Sequence, residues 1–172
     1  MRTVCLIVVM ALAALGGALA QAPLDAALEA KLKKVFPDAA SFSPKQTTPL
    51  PHFIAYTGAK TIAGYVFWTT ELEPLDRGYD GPIKMLVGLD LKGVITGVLV
   101  VEDHEPYGSF SVETPEFARQ FRGKSIRDRF KVGMDIDAVS RASISIGSAT
   151  DTIRKSSRRI ANALIAPPAQ AK

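Results

Sequence analysis

The chain has 172 residues, of which 47% are hydrophobic and 22% are charged, and its formal net charge is +4. This composition supplies the core of one ordinary domain, and it excludes intrinsic disorder and low-complexity or collagen-like character. The single cysteine, Cys5, lies in the first apolar stretch. A chain without that stretch has no thiol, which excludes a disulfide, a Cys-based zinc site, a self-ligated iron–sulfur cluster and a c-type haem.

The first twenty residues have the pattern of a secretory signal peptide. Arg2 forms a positive n-region, residues 4–15 form an apolar h-region, and Ala18-Leu19-Ala20 is an A-x-A cleavage site. The alternative is an uncleaved membrane anchor, but a bilayer span needs about 20 apolar residues. We therefore predict a signal peptide at 1–20, one exported domain at 21–166 and a flexible tail at 167–172.

Helical and strand patterns follow in the mature chain. Residues 24–36 have apolar side chains at helical spacing, and Pro37 ends that helix. Four runs rich in β-branched and aromatic residues predict strands: FIAYTG, GYVFWTT, IKMLVGLDL and VITGVLVVED. The last two flank Lys92-Gly93, which predicts a β-hairpin.

Helices, with one strand between them, are predicted for the remainder. Thr114-Pro115 is a helix start with Thr as N-cap, and Gly123 is its stop. A last helix is predicted to begin near Ser148, where Asp151 would complete a capping box. Its inner stripe is formed by Ile153, Ile160, Ala161 and Leu164. The order helix, antiparallel strands, helix, strand, helix predicts a small single α+β domain with a C-terminal helix.

Charge is distributed unevenly along the chain. Residues 65–118 carry ten acidic and three basic side chains, whereas residues 119–172 carry twelve basic and four acidic ones. An exported domain rarely meets nucleic acid, so we expect no nucleic-acid partner. The basic run 119–131 could bind an anionic lipid surface or an acidic partner, and its simplest interpretation is a solvated basic face.

The segment DAVSRAS, from Asp137 to Ser143, is the part of the sequence that indicates a function. It resembles the flavin-attachment motif of the FMN-binding domain family, which runs Asp, two residues, Ser or Thr, a small residue, Ala, then Thr or Ser. The stretches GYVFWTT, GYDGPIKMLVGLDLKGVITGVLVVEDHEP and DAVSRASIS are most similar to the periplasmic flavin domain of nitrous-oxide-type and nitrite-type regulatory membrane flavoproteins. Here Arg141 occupies the usual small position, and Ser143 replaces the commoner Thr.

The resemblance implies that FMN is attached to Ser143 by a phosphoester bond. A periplasmic flavin transferase would form this bond, using FAD and Mg and releasing AMP. Thr150 lies in a second small-Ala-Thr ending, but six residues before it stands Ile144, whereas six residues before Ser143 stands Asp137. The spacing therefore favours Ser143.

The physical chemistry of the segment is compatible with attachment. Ala142 is a small neighbour that leaves the hydroxyl accessible, and a phosphodiester is stabilised by a helix N-terminus and by cations. Arg141 is adjacent, and further cations lie along the last helix at Arg154, Lys155, Arg158 and Arg159. The alternative is that Ser140, Ser143, Ser145 and Ser148 alternate along an exposed strand.

Other candidate residues lie outside the motif. Asp103-His104-Glu105 could be a metal triad, but neighbours on a strand point to opposite faces, so we expect no metal site. The resemblance implies that His104 and Glu105 lie near the flavin, although a strand-end turn explains them equally well. It also places Tyr79 and Gly81 near the flavin, in a segment that is first of all a turn. The predicted flavin contacts are Asp137, Ser140, Arg141, Ala142, Ser143, Ile144, Tyr79, Gly81, His104 and Glu105.

No sequence signature of a hydrolase triad, a P-loop or a dinucleotide fingerprint is present. We expect an electron carrier rather than a stand-alone enzyme, because the chemistry belongs to the flavin. The predicted function is electron transfer between a membrane redox partner and an extracytoplasmic acceptor. The alternative is a sensor or binding domain that holds flavin non-covalently, or holds none, and acts through a membrane partner.

Overall fold

The computed structural model describes residues 24–165, so the predicted signal peptide and tail lie outside the described residues. No helix within 24–165 combines the length and the apolar character needed to cross a bilayer. The elements in chain order are α1 (Ala26–Val35), β1 (Ser41–Phe42), β2 (Phe53–Tyr56), β3 (Ile62–Trp68), α2 (Thr69–Leu72), β4 (Lys84–Asp90), β5 (Ile95–Glu102), a 3₁₀ turn (Gly108–Phe110), α3 (Pro115–Arg119), α4 (Ser143–Ile160) and a π-helical turn (Ala161–Ile165).

The five strands form one antiparallel sheet in the order β1-β2-β3-β4-β5. Each strand pairs with its neighbour in sequence, which is the pattern of a meander. The predicted hairpin between β4 and β5 is confirmed, with Gly93 at φ +77° in its turn. The α+β fold class with a C-terminal helix is likewise confirmed.

Apolar residues cover both faces of the sheet because side chains alternate along each strand. On β4, Met85, Val87 and Leu89 are buried in one cluster with Ile146 and Ile153 of α4. Leu86 belongs to the other cluster, which includes residues of α1. The sheet is thus a central layer, and its α4 face carries the larger part of the core.

Close packing of α1 on the sheet depends on two glycines. A Cβ at Gly88 or Gly97 would lie 2.6 Å or 2.8 Å from the Val35 carbonyl oxygen. The hydroxyl of Thr96 donates to the same carbonyl at 2.6 Å. The C-terminus of α1 is therefore held directly against the β4–β5 hairpin.

The last helix begins five residues earlier than its sequence pattern predicts. It starts at Ser143 rather than near Ser148, and Asp151 forms an ion pair with Arg154 at 2.8 Å instead of a capping box. Its first turns include the buried residues Ser145 and Ile146. Burial of this face outweighs the weak helix propensity of a serine-rich segment, which is why local patterning missed it.

The strand predicted between α3 and α4 is wrong. Residues 120–142 form successive turns, with isolated bridges between Val94 and Ser125 and between Val132 and Ile136. The carboxylate of Asp135 accepts from the backbone N–H of Phe130 at 3.0 Å and of Lys131 at 2.5 Å. A side chain thus satisfies backbone donors that a strand partner would otherwise satisfy.

Candidate functional site

Ser143 is the first residue of α4, and its side chain is exposed. The preceding residue, Ala142, has no side chain that can cap the helix. The first backbone bond of the helix runs from the Ile146 N–H to the Ala142 carbonyl, at 3.0 Å. The N–H groups of Ser143, Ile144 and Ser145 precede that bond, so they lack an intrahelical acceptor. Together with the helix dipole they favour an anion beside the Ser143 hydroxyl.

The chain reverses direction immediately before this helix. Arg141 has φ +71°, in the left-handed region, and its side chain is exposed. The N–H of Ala142 donates to the Val139 carbonyl at 3.1 Å and closes the turn. Ala142 itself is only 2% exposed and packs in the core. Its small size therefore serves packing beneath the turn, rather than access from solvent as the sequence suggested.

A cavity of about 350 Å³ opens beside Ser143. Three residues of its wall are large, apolar and exposed: Tyr79 (68%), Tyr107 (41%) and Ile144 (60%). The wall also includes Pro106, Arg141 and Ser145. This volume is within the range of small-molecule sites, and an apolar lining with a few polar groups is typical of them. The site therefore suits a planar aromatic group next to an anion.

One wall of the cavity is the loop between α2 and β4. Hydroxyls on one face of α4 bind this loop: Ser148 donates to the Arg77 carbonyl at 2.6 Å, and Thr152 donates to Asp76 at 3.1 Å. One turn before Ser148 on that face, Ser145 donates to the carboxylate of Glu105. This carboxylate also accepts from the backbone N–H of Tyr79, at 3.0 Å. The spacing i, i+3, i+7 of the hydroxyls places them in one row, so the loop runs along α4 toward Ser143.

The structure brings together four of the ten predicted contacts in the cavity wall: Tyr79, Arg141, Ser143 and Ile144. Two more support the wall from behind. Glu105 binds the loop, and Gly81, at φ +147°, accepts from the Gly78 N–H at 2.6 Å and closes the loop. Ala142 is buried beneath the turn, while Asp137, Ser140 and His104 are exposed and do not line the cavity.

Sequence reasoning missed three residues of the cavity wall: Pro106, Tyr107 and Ser145. Tyr107 and Pro106 follow Glu105 in a loop, and the Tyr107 ring lies 5.4 Å from that of Phe110. Ser145 was considered only as part of an exposed row of serines, but it is 4% exposed and bound to Glu105. The alternating-strand interpretation of the serines is wrong because Ser143, Ser145 and Ser148 lie on a helix. One feature of the sequence indicated a wall residue: Tyr107 is an aromatic residue in the loop that follows β5.

The two candidate hydroxyls differ in accessibility. Ser143 is exposed, whereas Thr150 is 1% exposed and its Oγ1 is buried without a hydrogen-bond partner. An enzyme that modifies a hydroxyl must reach it. Accessibility therefore favours the same residue as the motif spacing.

The cations further along α4 are engaged elsewhere. Lys155 pairs with Asp76 at 3.0 Å, Arg159 with Glu73 at 3.1 Å, and Arg154 with Asp151. The Arg158 Nε donates to the Ile126 carbonyl at 2.8 Å. Even Arg154 is about 16 Å along the axis from Ser143, at 1.5 Å per residue. Stabilisation of a phosphate by these four residues was a wrong expectation, and Arg141 is the cation in the cavity wall.

Asp135, two residues before Asp137, stabilises the loop that precedes α4. Burial raises the pKa of the Asp135 carboxyl, but the N–H donors of Lys131 and Phe130 and the charge of Lys124 outweigh it and hold this pKa below its ordinary value of 3.8. Asp137 is exposed, and its backbone N–H donates to Gln120 Oε1 at 2.6 Å. Its side chain is available to an external partner.

No group of three His, Cys, Asp or Glu side chains within residues 24–165 could hold a metal ion. In the Asp103-His104-Glu105 segment, Asp103 accepts from the Glu105 N–H at 3.1 Å, and the Glu105 carboxylate turns inward. His104 is exposed. The three side chains do not converge.

Comparison with known proteins shows which family the region around the cavity resembles. Residues 78–157 match the model of the FMN-binding domain, a range that contains the cavity and Ser143. The relatives include a subunit of the ion-translocating oxidoreductase complex from two strains of Haemophilus influenzae, PittEE and 86-028NP, each 47% identical over 47 residues. That alignment covers 27% of this chain and 21% of the relative, so it spans about a fifth of the relative's length. The special likeness to nitrous-oxide-type regulators stays a prediction. Over residues 78–157, this chain is similar to the FMN-binding domain family.

Proposed function

We propose that this protein is an exported flavoprotein that carries FMN covalently on Ser143 and transfers electrons. The observation that carries the proposal is the position of Ser143. It is an exposed hydroxyl at the uncapped start of an 18-residue helix, on the wall of an apolar cavity, inside the region that matches the FMN-binding domain. A hydroxyl, an anion site and an aromatic pocket are thus adjacent.

Attachment is a phosphoryl transfer without oxidation or reduction. The Ser143 Oγ attacks the FMN phosphorus of FAD, a new P–O bond forms, and the bond to AMP breaks. AMP leaves with the electron pair of that bond, and the hydroxyl proton passes to solvent. We assign this step to a periplasmic flavin transferase that uses Mg. The transferase would recognise the exposed side chain of Asp137.

The residues present fit the cofactor. Tyr79, Tyr107 and Ile144 offer apolar surface to the flavin ring, which supplies one- and two-electron chemistry when bound. The N–H groups of the first turn of α4 and the guanidinium of Arg141 would hold the phosphodiester. Because the cavity is open to solvent, a redox partner could reach a flavin bound there.

We further propose that the electrons pass between a membrane redox partner and an extracytoplasmic acceptor. The matching relatives are named as subunits of an ion-translocating oxidoreductase complex, which supports a membrane partner. The signal-peptide pattern of residues 1–20 supports export. Cell fractionation of the full chain tests this location, and retention in the cytoplasm would contradict it.

The attachment site is tested by co-expression with a flavin transferase. We expect the unaltered chain to fluoresce on a denaturing gel under ultraviolet light and to gain the mass of one FMN less one water. Ser143→Ala should abolish both signals, whereas Ser143→Thr should keep them, because a Thr hydroxyl can attack phosphorus equally.

Thr150→Ala is the matched control, because it removes a hydroxyl that has no hydrogen-bond partner. It should load like the unaltered chain. Loss of the FMN mass in this variant, with retention in Ser143→Ala, would assign the site to Thr150 and contradict the proposal. Flavin that is released completely on denaturation of the unaltered chain would instead support non-covalent binding.

A further inference from the structure

A buried carboxylate joins the two walls of the cavity. Glu105 is 7% exposed, and its Oε2 accepts from the Tyr79 N–H at 3.0 Å and from the Ser145 hydroxyl. Its Oε1 accepts from the Asp80 N–H at 3.2 Å. Charge-assisted hydrogen bonds of this kind are stronger than neutral ones. Glu105 therefore connects the loop of Tyr79 to the first turn of α4, which carries Ser143.

The backbone on both sides of this carboxylate is closely fitted. A Cβ at Gly78 would lie 2.1 Å from Glu105 Oε1, so the loop leaves room for the carboxylate and for nothing larger than hydrogen on Gly78. The Glu105 N–H donates to Asp103 at 3.1 Å, and its carbonyl accepts from the Gly108 N–H at 3.0 Å. Hydrogen bonds thus hold both the backbone of Glu105 and its carboxylate in place.

We propose that Glu105 is a positioning residue for the flavin. Its carboxylate fixes the distance between Tyr79 on one wall and Ser143 and Ile144 on the other, and it places a negative charge directly behind both walls. This inference rests on the proposed function, because it assumes that FMN occupies the cavity. It adds that the orientation and the midpoint potential of the flavin depend on a residue that does not line the cavity.

The hydrogen bonds are tested first in flavin-free protein. Glu105→Ala should accelerate hydrogen exchange of the Tyr79 and Asp80 amides about tenfold or more, because both lose a charged acceptor. Gly78→Ala perturbs the same contact from the loop side and should act in the same direction. Glu102→Gln is the matched control, since it removes a carboxylate three residues before Glu105, at the end of β5, that pairs only loosely with Lys84, at 3.7 Å. Unchanged exchange in both Glu105→Ala and Gly78→Ala would overturn the proposal.

The effect on the flavin is then measured in protein loaded by the transferase. Covalent mass should be kept in Glu105→Ala, because Ser143 is intact, but the visible circular dichroism of the flavin should fall and its midpoint potential should become more positive. Glu105→Gln should lie between, because an amide offers one acceptor oxygen where two are used. Glu102→Gln should match the unaltered chain. An unchanged dichroism and potential in Glu105→Ala would overturn the proposal. Absence of flavin from the unaltered chain would instead refute the proposed function, and this is seen before any variant is compared.

Discussion

Substitution of Arg141 by Gly separates two effects that the structure places at one residue. Arg141 has φ +71°, which an L-residue adopts at a cost, and its exposed side chain lines the cavity beside Ser143. Gly removes the backbone strain and the charge together. The first effect is present in every form of the protein, whereas the second requires the phosphodiester.

The free energies of the backbone strain at Arg141 and of its ion pair with the phosphodiester are of similar size. The left-handed conformation costs an L-residue roughly 1–2 kcal/mol, and the greater freedom of Gly in the unfolded chain offsets about 0.5–1 kcal/mol of the gain. Flavin-free Arg141→Gly should therefore be more stable by about 0.5–1 kcal/mol, which raises Tm by roughly 1–4 °C at this chain length. In the loaded protein an exposed ion pair between Arg141 and the phosphodiester would contribute up to about 1 kcal/mol, so its loss should make the gain smaller than in the flavin-free form.

Melting curves of loaded and flavin-free protein, at low and at high salt, measure the difference. Lys60→Gly is the matched control, because Lys60 is exposed and has φ +59° in the loop between β2 and β3. It should raise Tm equally with and without flavin. Equal increases for Arg141→Gly in the two forms would refute the contact with phosphate, and a lower Tm of its flavin-free form would refute the strain.

Two further predictions concern the segment before α4. Asp137→Ala should fold normally but carry little flavin, because its exposed side chain is free for the transferase; intact mass and a melting curve decide this, and normal flavin content would contradict the role. Asp135→Asn should lower the free energy of unfolding at pH 7 by roughly 1–3 kcal/mol, since the carboxylate accepts two backbone bonds. The pKa of Asp135 lies below 3.8 in the folded state, so its contribution is complete above the unfolded value and is lost as the pH falls through the folded one. Urea unfolding should show the gap between variant and parent closing below pH 3.8, and a gap that does not depend on pH would contradict the assignment.

Local sequence patterns predicted those features whose hydrogen bonds or backbone conformations involve residues close together in the sequence. Thr114 caps α3 by accepting from the Phe117 N–H at 3.2 Å, and Gly93 forms the turn of the hairpin, both as predicted. The four predicted strand runs overlap the strands β2, β3, β4 and β5 of the sheet. The motif spacing singled out Ser143, and the family match contains it. These features depend on hydrogen bonds and backbone conformations within a few residues, which is why the sequence alone predicts them.

Only the tertiary structure decided how the site is assembled. The start of α4 at Ser143 follows from burial of Ser145 and Ile146 against the sheet, which no local propensity encodes. Glu105 acquires its role from partners 25, 26 and 40 positions away in sequence. The cations of α4 are distributed among distant carboxylates and carbonyls, which leaves Arg141 as the cation lining the cavity wall. The sequence thus determined which hydroxyl is the candidate and which elements surround it. Packing between elements decided which side chains face it, because contacts between segments far apart in the chain depend on how the whole core is filled.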